Sequence, residues 1–202
     1  MSIMLFSNLD SNDKYSFIYA VDQSVINSAL QEASVFNAAI DPVTNQFDLN
    51  KAVQLVSHNS RAIVAAQLDQ TVISNTIQID TMVNQVMDIL KNYLKVPFPE
   101  DQIAKALTVA MQNTFTNLKT QEESGWIFWK DTSSYNTTYL YNILFCIQYT
   151  QDILSIVPMG FEISVDVEKE KVLWFTVKDT HEFSVKLTAL TEMVSIGWHH
   201  GH

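Results

Sequence analysis

Glu162, Asp166 and Glu168 alternate along one apparent strand and come nearest in this sequence to a row of reactive side chains. Paired carboxylates do acid–base chemistry when they converge on a shared reacting group. Alternate residues on an extended strand stand about 6–7 Å apart, and no neighbouring motif adds a nucleophile. The row reads as a solvated strand face, or as the lining of a water-filled passage. His58 and His181 stand alone in the sequence and read as exposed polar residues. The tail Trp198-His199-His200-Gly201-His202 has the composition of a divalent-metal chelator, yet reads more simply as a frayed or appended end. Cys146 is the single cysteine, so no internal disulfide forms; it reads as a buried, inert thiol. The sequence contains no G-x-S-x-G, glycine-rich phosphate loop, H-E-x-x-H or paired-cysteine zinc spacing. The expectation is therefore a protein that is not an enzyme and uses no cofactor or metal.

Function must then come from shape and surface. A chain of 202 residues, 47% of them hydrophobic, makes one globular domain spanning 1–202. The formal net charge is −10 and Arg61 is the only arginine. Neutralising phosphates takes a basic stripe, and none exists, which argues against nucleic acid. The same deficit argues against docking on anionic lipid, so any membrane partner is expected to be zwitterionic. No apolar run reaches the roughly 18 residues of a transmembrane helix. Ile3-Met4-Leu5-Phe6 is too short for a signal-peptide core. The chain reads as made soluble, then released or secreted without a recognisable signal peptide.

The elements divide the chain in two. After a short strand at Tyr15–Val21, Asp22 suits a helix N-cap, and Val25, Ala29, Ala33, Phe36 and Ile40 recur at helical spacing. Asp41-Pro42 breaks that helix. A second starts near Asp48 and is expected to continue towards Ala66. A third, about Ser74–Lys95, carries the stripe Ile79, Met82, Val86, Leu90 and Tyr93. Pro97 and Pro99 stop it, and Pro99, Glu100 and Asp101 suit the start of a fourth, which carries Ile103, Leu107, Met111 and Leu118.

From Trp126 onward the period changes to two. Strands are expected at 126–130, 139–149, 156–168, 171–178 and 182–190, running antiparallel through short connections with tight turns at Lys169-Glu170 and Asp179-Thr180. Tyr139, Tyr141, Ile143, Phe145, Ile147 and Tyr149 share one face; Met159, Phe161, Ile163 and Val165 share another, opposite Glu162, Asp166 and Glu168. Leu140, Leu144 and Cys146 make the first strand apolar on both faces, and Val172 and Trp174 do the same behind Leu173, Phe175 and Val177. Strands apolar on both faces need cover on both sides. The predicted class is α+β: a single-domain three-layer α/β/α sandwich, an antiparallel sheet (mostly 126–190) wrapped by two helical hairpins within about 22–118.

Asn113-Thr114-Phe115-Thr116-Asn117-Leu118, followed by Gly125-Trp126-Ile127-Phe128-Trp129, resembles the Cyt family of cytolytic delta-endotoxins, which includes volvatoxin-like fungal cytolysins. Tyr141–Gln148, Pro158–Ile163 and Val172–Thr176 resemble the family's following blocks, and Phe36 with Ala39-Ile40-Asp41-Pro42 an earlier one. The blocks run in family order over about residues 15–195. The resemblance implies a sheet wrapped by two helical layers, and lysis of target-cell membranes after direct phospholipid binding.

The expected mechanism moves the helical layers off the sheet at the membrane. Tyr141, Ile143, Phe145, Ile147, Met159, Phe161, Ile163 and Val165 would meet lipid, and Glu162, Asp166, Glu168 and Lys186 would face a lumen closed by self-association. Detergent-like disruption by surface helices and a non-lytic soluble binding protein are the competing readings.

Overall fold

The computed structural model describes residues 2–8, 13–98 and 100–197. Pro99 and the tail Trp198-His199-His200-Gly201-His202, read above as helix start and possible chelator, lie outside the described residues. Among these residues, seven strands and six α-helices follow in the order β1 (Ile3–Asn8), β2 (Ser16–Asp22), α1 (Ile26–Ser34), α2 (Leu49–Ser57), β3 (Ala62–Gln78), α3 (Ile79–Asn92), α4 (Asp101–Phe115), α5 (Leu118–Gln121), β4 (Ile127–Thr132), β5 (Thr137–Thr150), β6 (Ile153–Val165), α6 (Lys169–Val172) and β7 (Thr180–Ser195). One sheet runs β1-β2-β5-β6-β7-β3, and β4 pairs with β5 beside β2. Every pairing is antiparallel except β2 with β5, which is parallel (Ser16 opposite Ile143). That one parallel pair follows from the long helical excursion between β2 and β5.

Helix ends obey local chemistry. Asp22 accepts from the Ser24 amide at the start of a short 3-10 turn leading into α1, and Asp48 accepts from the Lys51 amide to cap α2. The first predicted helix is broken into 3-10, α and 3-10 pieces over Gln23–Ala39. Asp41 holds the turn after it, accepting from the amides of Val43 and Thr44.

Three expectations are corrected. The second helix does not reach Ala66 and the third does not begin at Ser74; between them runs β3, an edge strand paired with β7 along nearly its full length. Residues 171–178 form no strand: the expected turn at Lys169-Glu170 is the first turn of α6, and successive local bonds (Trp174 N to Lys171 O, Phe175 N to Val172 O, Asp179 N to Thr176 O) coil the remainder. Val172 and Leu173, adjacent and both buried, pack inward from this helical turn rather than from a strand. Finally, β6 begins earlier than expected and stops at Val165.

The three layers are present. On one face α3 and α4 cover a core of Tyr139, Tyr141, Ile143, Met159, Phe161, Val185 and Leu187; on the other α1 and α2 cover Tyr15, Phe17, Leu144, Cys146, Ile156 and Leu190. The second cover is partial. Towards the β6–β7 connection, that face carries Thr138, Glu162, Ser164, Ser184 and Lys186, none of them buried.

Candidate functional site

Strand register decides which predicted side chains meet. Tyr141 lies opposite Phe161, Ile143 opposite Met159 and Phe145 opposite Val157 across the β5–β6 hairpin. All eight side chains expected to meet lipid therefore fall on one continuous face, and each is no more than 1% exposed. Their cover is the stripe Met82, Val83, Val86 and Leu90 of α3 with Ile103, Leu107, Met111 and Phe115 of α4. Phe115 is the central contact, its ring edge-on to both Phe161 (6.1 Å) and Phe183 (6.4 Å).

Side-chain hydrogen bonds fasten this cover, and α5 that follows it, to the sheet at a few points. Tyr139 donates to the Thr114 carbonyl at the end of α4 (2.8 Å), and Thr191 of β7 donates to the Leu94 carbonyl in the α3–α4 connection (2.6 Å). Tyr141 donates to Oε1 of Gln121 at 2.6 Å, where the Trp126 indole also donates at 3.2 Å. Each leaves an apolar face through a polar tip, so the cover is attached at a few points over an otherwise slippery surface.

The acidic row is not continuous. Glu162 lies on β6, but Asp166 and Glu168 fall beyond its end, in the turn before α6. Asp166 accepts from the Glu182 amide (3.3 Å) and lies 3.6 Å from Nδ1 of His181. The His181 ring stacks on Phe175 rather than standing free, while His58 is exposed. Glu162 and Lys186 are register partners on β6 and β7, yet each is paired elsewhere: Lys130 reaches Glu162 and Lys186 reaches Asp69, both at 3.4 Å. Glu162, Lys186 and Asp69, with Gln46, Thr188 and Asn142, line a polar recess of about 330 Å³ between the sheet and the loop before α2.

Among the described residues, no group of three or more His, Cys, Asp and Glu side chains is placed to hold a metal ion. No described helix is long and apolar enough to cross a membrane. Sequence reasoning missed Gln121 and Asp69, which are polar residues of helix and edge strand with no signal beyond their type. It also missed Glu192, whose signal was available: Leu190, Glu192 and Val194 alternate on one face, and the acid interrupts an apolar series.

The family model described as Bacillus thuringiensis toxin matches residues 2–199. The Type-2Aa cytolytic delta-endotoxin of Bacillus thuringiensis subsp. kyushuensis is 39% identical over 181 residues, covering 89% of this chain and 70% of that protein. The Type-2Ba cytolytic delta-endotoxin of subsp. israelensis is 36% identical over 179 residues, covering 88% and 68%. Among solved structures, the activated Cyt2Ba monomer from subsp. israelensis matches with a TM-score of 0.89 at 34% identity, over 92% of this chain and 100% of that one. A structure described as a delta-endotoxin matches at 0.91 and 35% identity, over 100% and 90%.

Proposed function

Because this chain belongs to the Bacillus thuringiensis toxin family, among its cytolytic delta-endotoxins, we propose that it is a cytolytic toxin that binds phospholipid bilayers and permeabilises them through the β5–β6 hairpin. The observation that carries this reading is the concealed face: eight large apolar side chains in register on two long strands, covered by a helical pair held at few polar points.

Magnitudes say why lipid is needed. Fully burying one such side chain is worth about 1.5–3 kcal/mol, so exposing eight to water costs on the order of 12–24 kcal/mol. That equals or exceeds the whole stability of an ordinary domain, about 5–15 kcal/mol. The cover therefore stays closed in water, and opening becomes favourable only where hydrocarbon replaces it. Strands of 14 and 13 residues exceed the roughly 9–11 that a tilted spanning strand needs. Open strand edges are not tolerated in hydrocarbon, so inserted hairpins close with those of other copies. At two strands per copy, the smallest known barrels, with about 8 strands, imply on the order of four copies or more.

The opposite face supports the polarity of such a barrel. On β5 and β6, Thr138, Glu162 and Ser164 are already partly exposed before any rearrangement, with the exposed Lys186 beside them on β7. Glu162, near the end of β6, gives a lumen an acid, and the chain's net charge of −10 adds to it. Near the β5–β6 turn that face is apolar beneath α1 and α2, so full insertion requires that layer to move as well.

Leakage of a trapped dye from phosphatidylcholine vesicles tests the proposal. Release should be limited by dye size, with discrete conductance steps in planar bilayers; vesicles left intact across concentration and pH would refute it. The amphipathic α3, whose Ile79, Met82, Val83, Val86 and Leu90 are all buried, supports a second reading in which freed helices disorder lipid. Release without a size limit or discrete steps would favour that reading.

A further inference from the structure

Glu192 is the most unusual acid in the fold. It stands on β7 between Leu190 and Val194, on the face that α1 and α2 cover, and is 1% exposed. Its Oε2 has no hydrogen-bond partner among the described residues. A buried carboxyl without compensation favours its neutral form.

The surroundings explain why compensation is short. From α1 comes Glu32, itself buried, whose carboxylate is taken by the Arg61 guanidinium and by Nδ2 of Asn59 (3.1 Å) from the α2–β3 turn. β5 contributes the Cys146 thiol, while β6 and β3 place Ile156 and Val64 beside Glu192 in register. α2 contributes apolar Ala52 and Val56 to the same layer. The one guanidinium on this side is thus engaged by Glu32, and Arg61 is the only arginine of the chain. Burial, and after it the charge of Glu32, push the Glu192 carboxyl up to about 8, with Arg61 pulling weakly the other way.

We infer that Glu192 is a proton-held latch for the α1–α2 layer: neutral, it lies quietly beneath the helices, and ionised, it drives them from the sheet. Glu32 and Glu192 are the only acids among the buried described residues, and both lie on this side. The device therefore acts on one layer and leaves α3 and α4 in place. A carboxyl freed by opening ionises near 4.5, whereas the covered one keeps its proton to about pH 8. The stabilisation is complete below about 4.5, falls as pH rises between the two values, and is gone above about 8.

Hydrogen exchange followed by mass spectrometry tests this on the full chain in water, so a failed latch is distinguishable from a failed lytic reading. After correction for intrinsic exchange, protection of α1 and α2 should drop by roughly tenfold per pH unit through the window, then level off. Protection of α3 and α4 should not follow. Glu192→Gln should hold α1 and α2 protected throughout. Glu32→Gln, which frees Arg61 for Glu192, should make the drop level off at lower pH. A parent without the drop, or a Glu192→Gln protein that keeps it, overturns the latch. Should Glu192→Gln fail to fold, infrared spectroscopy of the parent decides. A protonated-carboxyl band at pH 7 that vanishes on passing about pH 8 supports the proposal, and its absence at pH 7 overturns it.

Discussion

Single residues join the sheet to its cover, and their types have reasons. In Asn113-Thr114-Phe115-Thr116-Asn117, Thr114 offers its carbonyl to Tyr139, Phe115 fills the core between Phe161 and Phe183, and Asn117 takes a left-handed conformation (φ 54°) between α4 and α5. Removing one tie without disturbing the packing tests the role of such contacts. Tyr139→Phe leaves a buried carbonyl unpaired and should cost about 1–3 kcal/mol in thermal or denaturant unfolding; on vesicles, leakage should begin sooner and reach the same extent. Gly160 makes a different demand, since a Cβ there would come within 2.7 Å of the Phe47 Cβ. Gly160→Ala should therefore lower stability by about 1–3 kcal/mol through overpacking, measured in the same way. The cap Asp22 and the helix start near Asp48 were legible because an acid before an apolar helical series has one local use. Glu192 was legible only with the face it occupies, because its type alone says surface.

At the scale of elements, legibility followed the regularity of the pattern. β5 and β6 alternate cleanly and were expected nearly where they lie. β3 was hidden because two irregularities, between Val64 and Ala66 and between Thr71 and Ile73, shift its phase. Ala62, Ala65 and Ala66 also favour helix, and β3 passes straight into α3 at Gln78 without a proline, glycine or side-chain cap. Residues 171–178 failed in the opposite sense: Leu173 and Phe175 point inward and Trp174 outward, as in a strand, while local turns satisfy the backbone. The acidic row shrank with the end of β6, leaving Glu162 as its member on the strand. Conductance should prefer cations, and Glu162→Lys should weaken or reverse that preference in planar bilayers. The exposed Lys130 pair it breaks is worth only about 0–1 kcal/mol, so folding should persist. An unchanged reversal potential would remove Glu162 from the lumen.

Taken whole, the molecule is a sheet with unequal covers. The α3–α4 pair hides a largely apolar face, tied down at Tyr139, Tyr141 and Thr191, whereas α1 and α2 hide half of the other and leave its polar remainder in water. The three layers followed from the hydrophobic pattern, because strands apolar on both faces need two covers and two helical pairs were available. Which face is the more apolar emerged only with strand register. The account stands on separation of α3 and α4 from β5 and β6, and a reversible staple tests that directly. Thr191 of β7 meets Leu94 at the α3–α4 connection, so Leu94→Cys with Thr191→Cys, in a Cys146→Ala background, places a disulfide across that seam. Dye release from phosphatidylcholine vesicles should be absent while the disulfide is closed and return to the parent rate on reduction; full release from the oxidised, cross-linked protein would contradict the account.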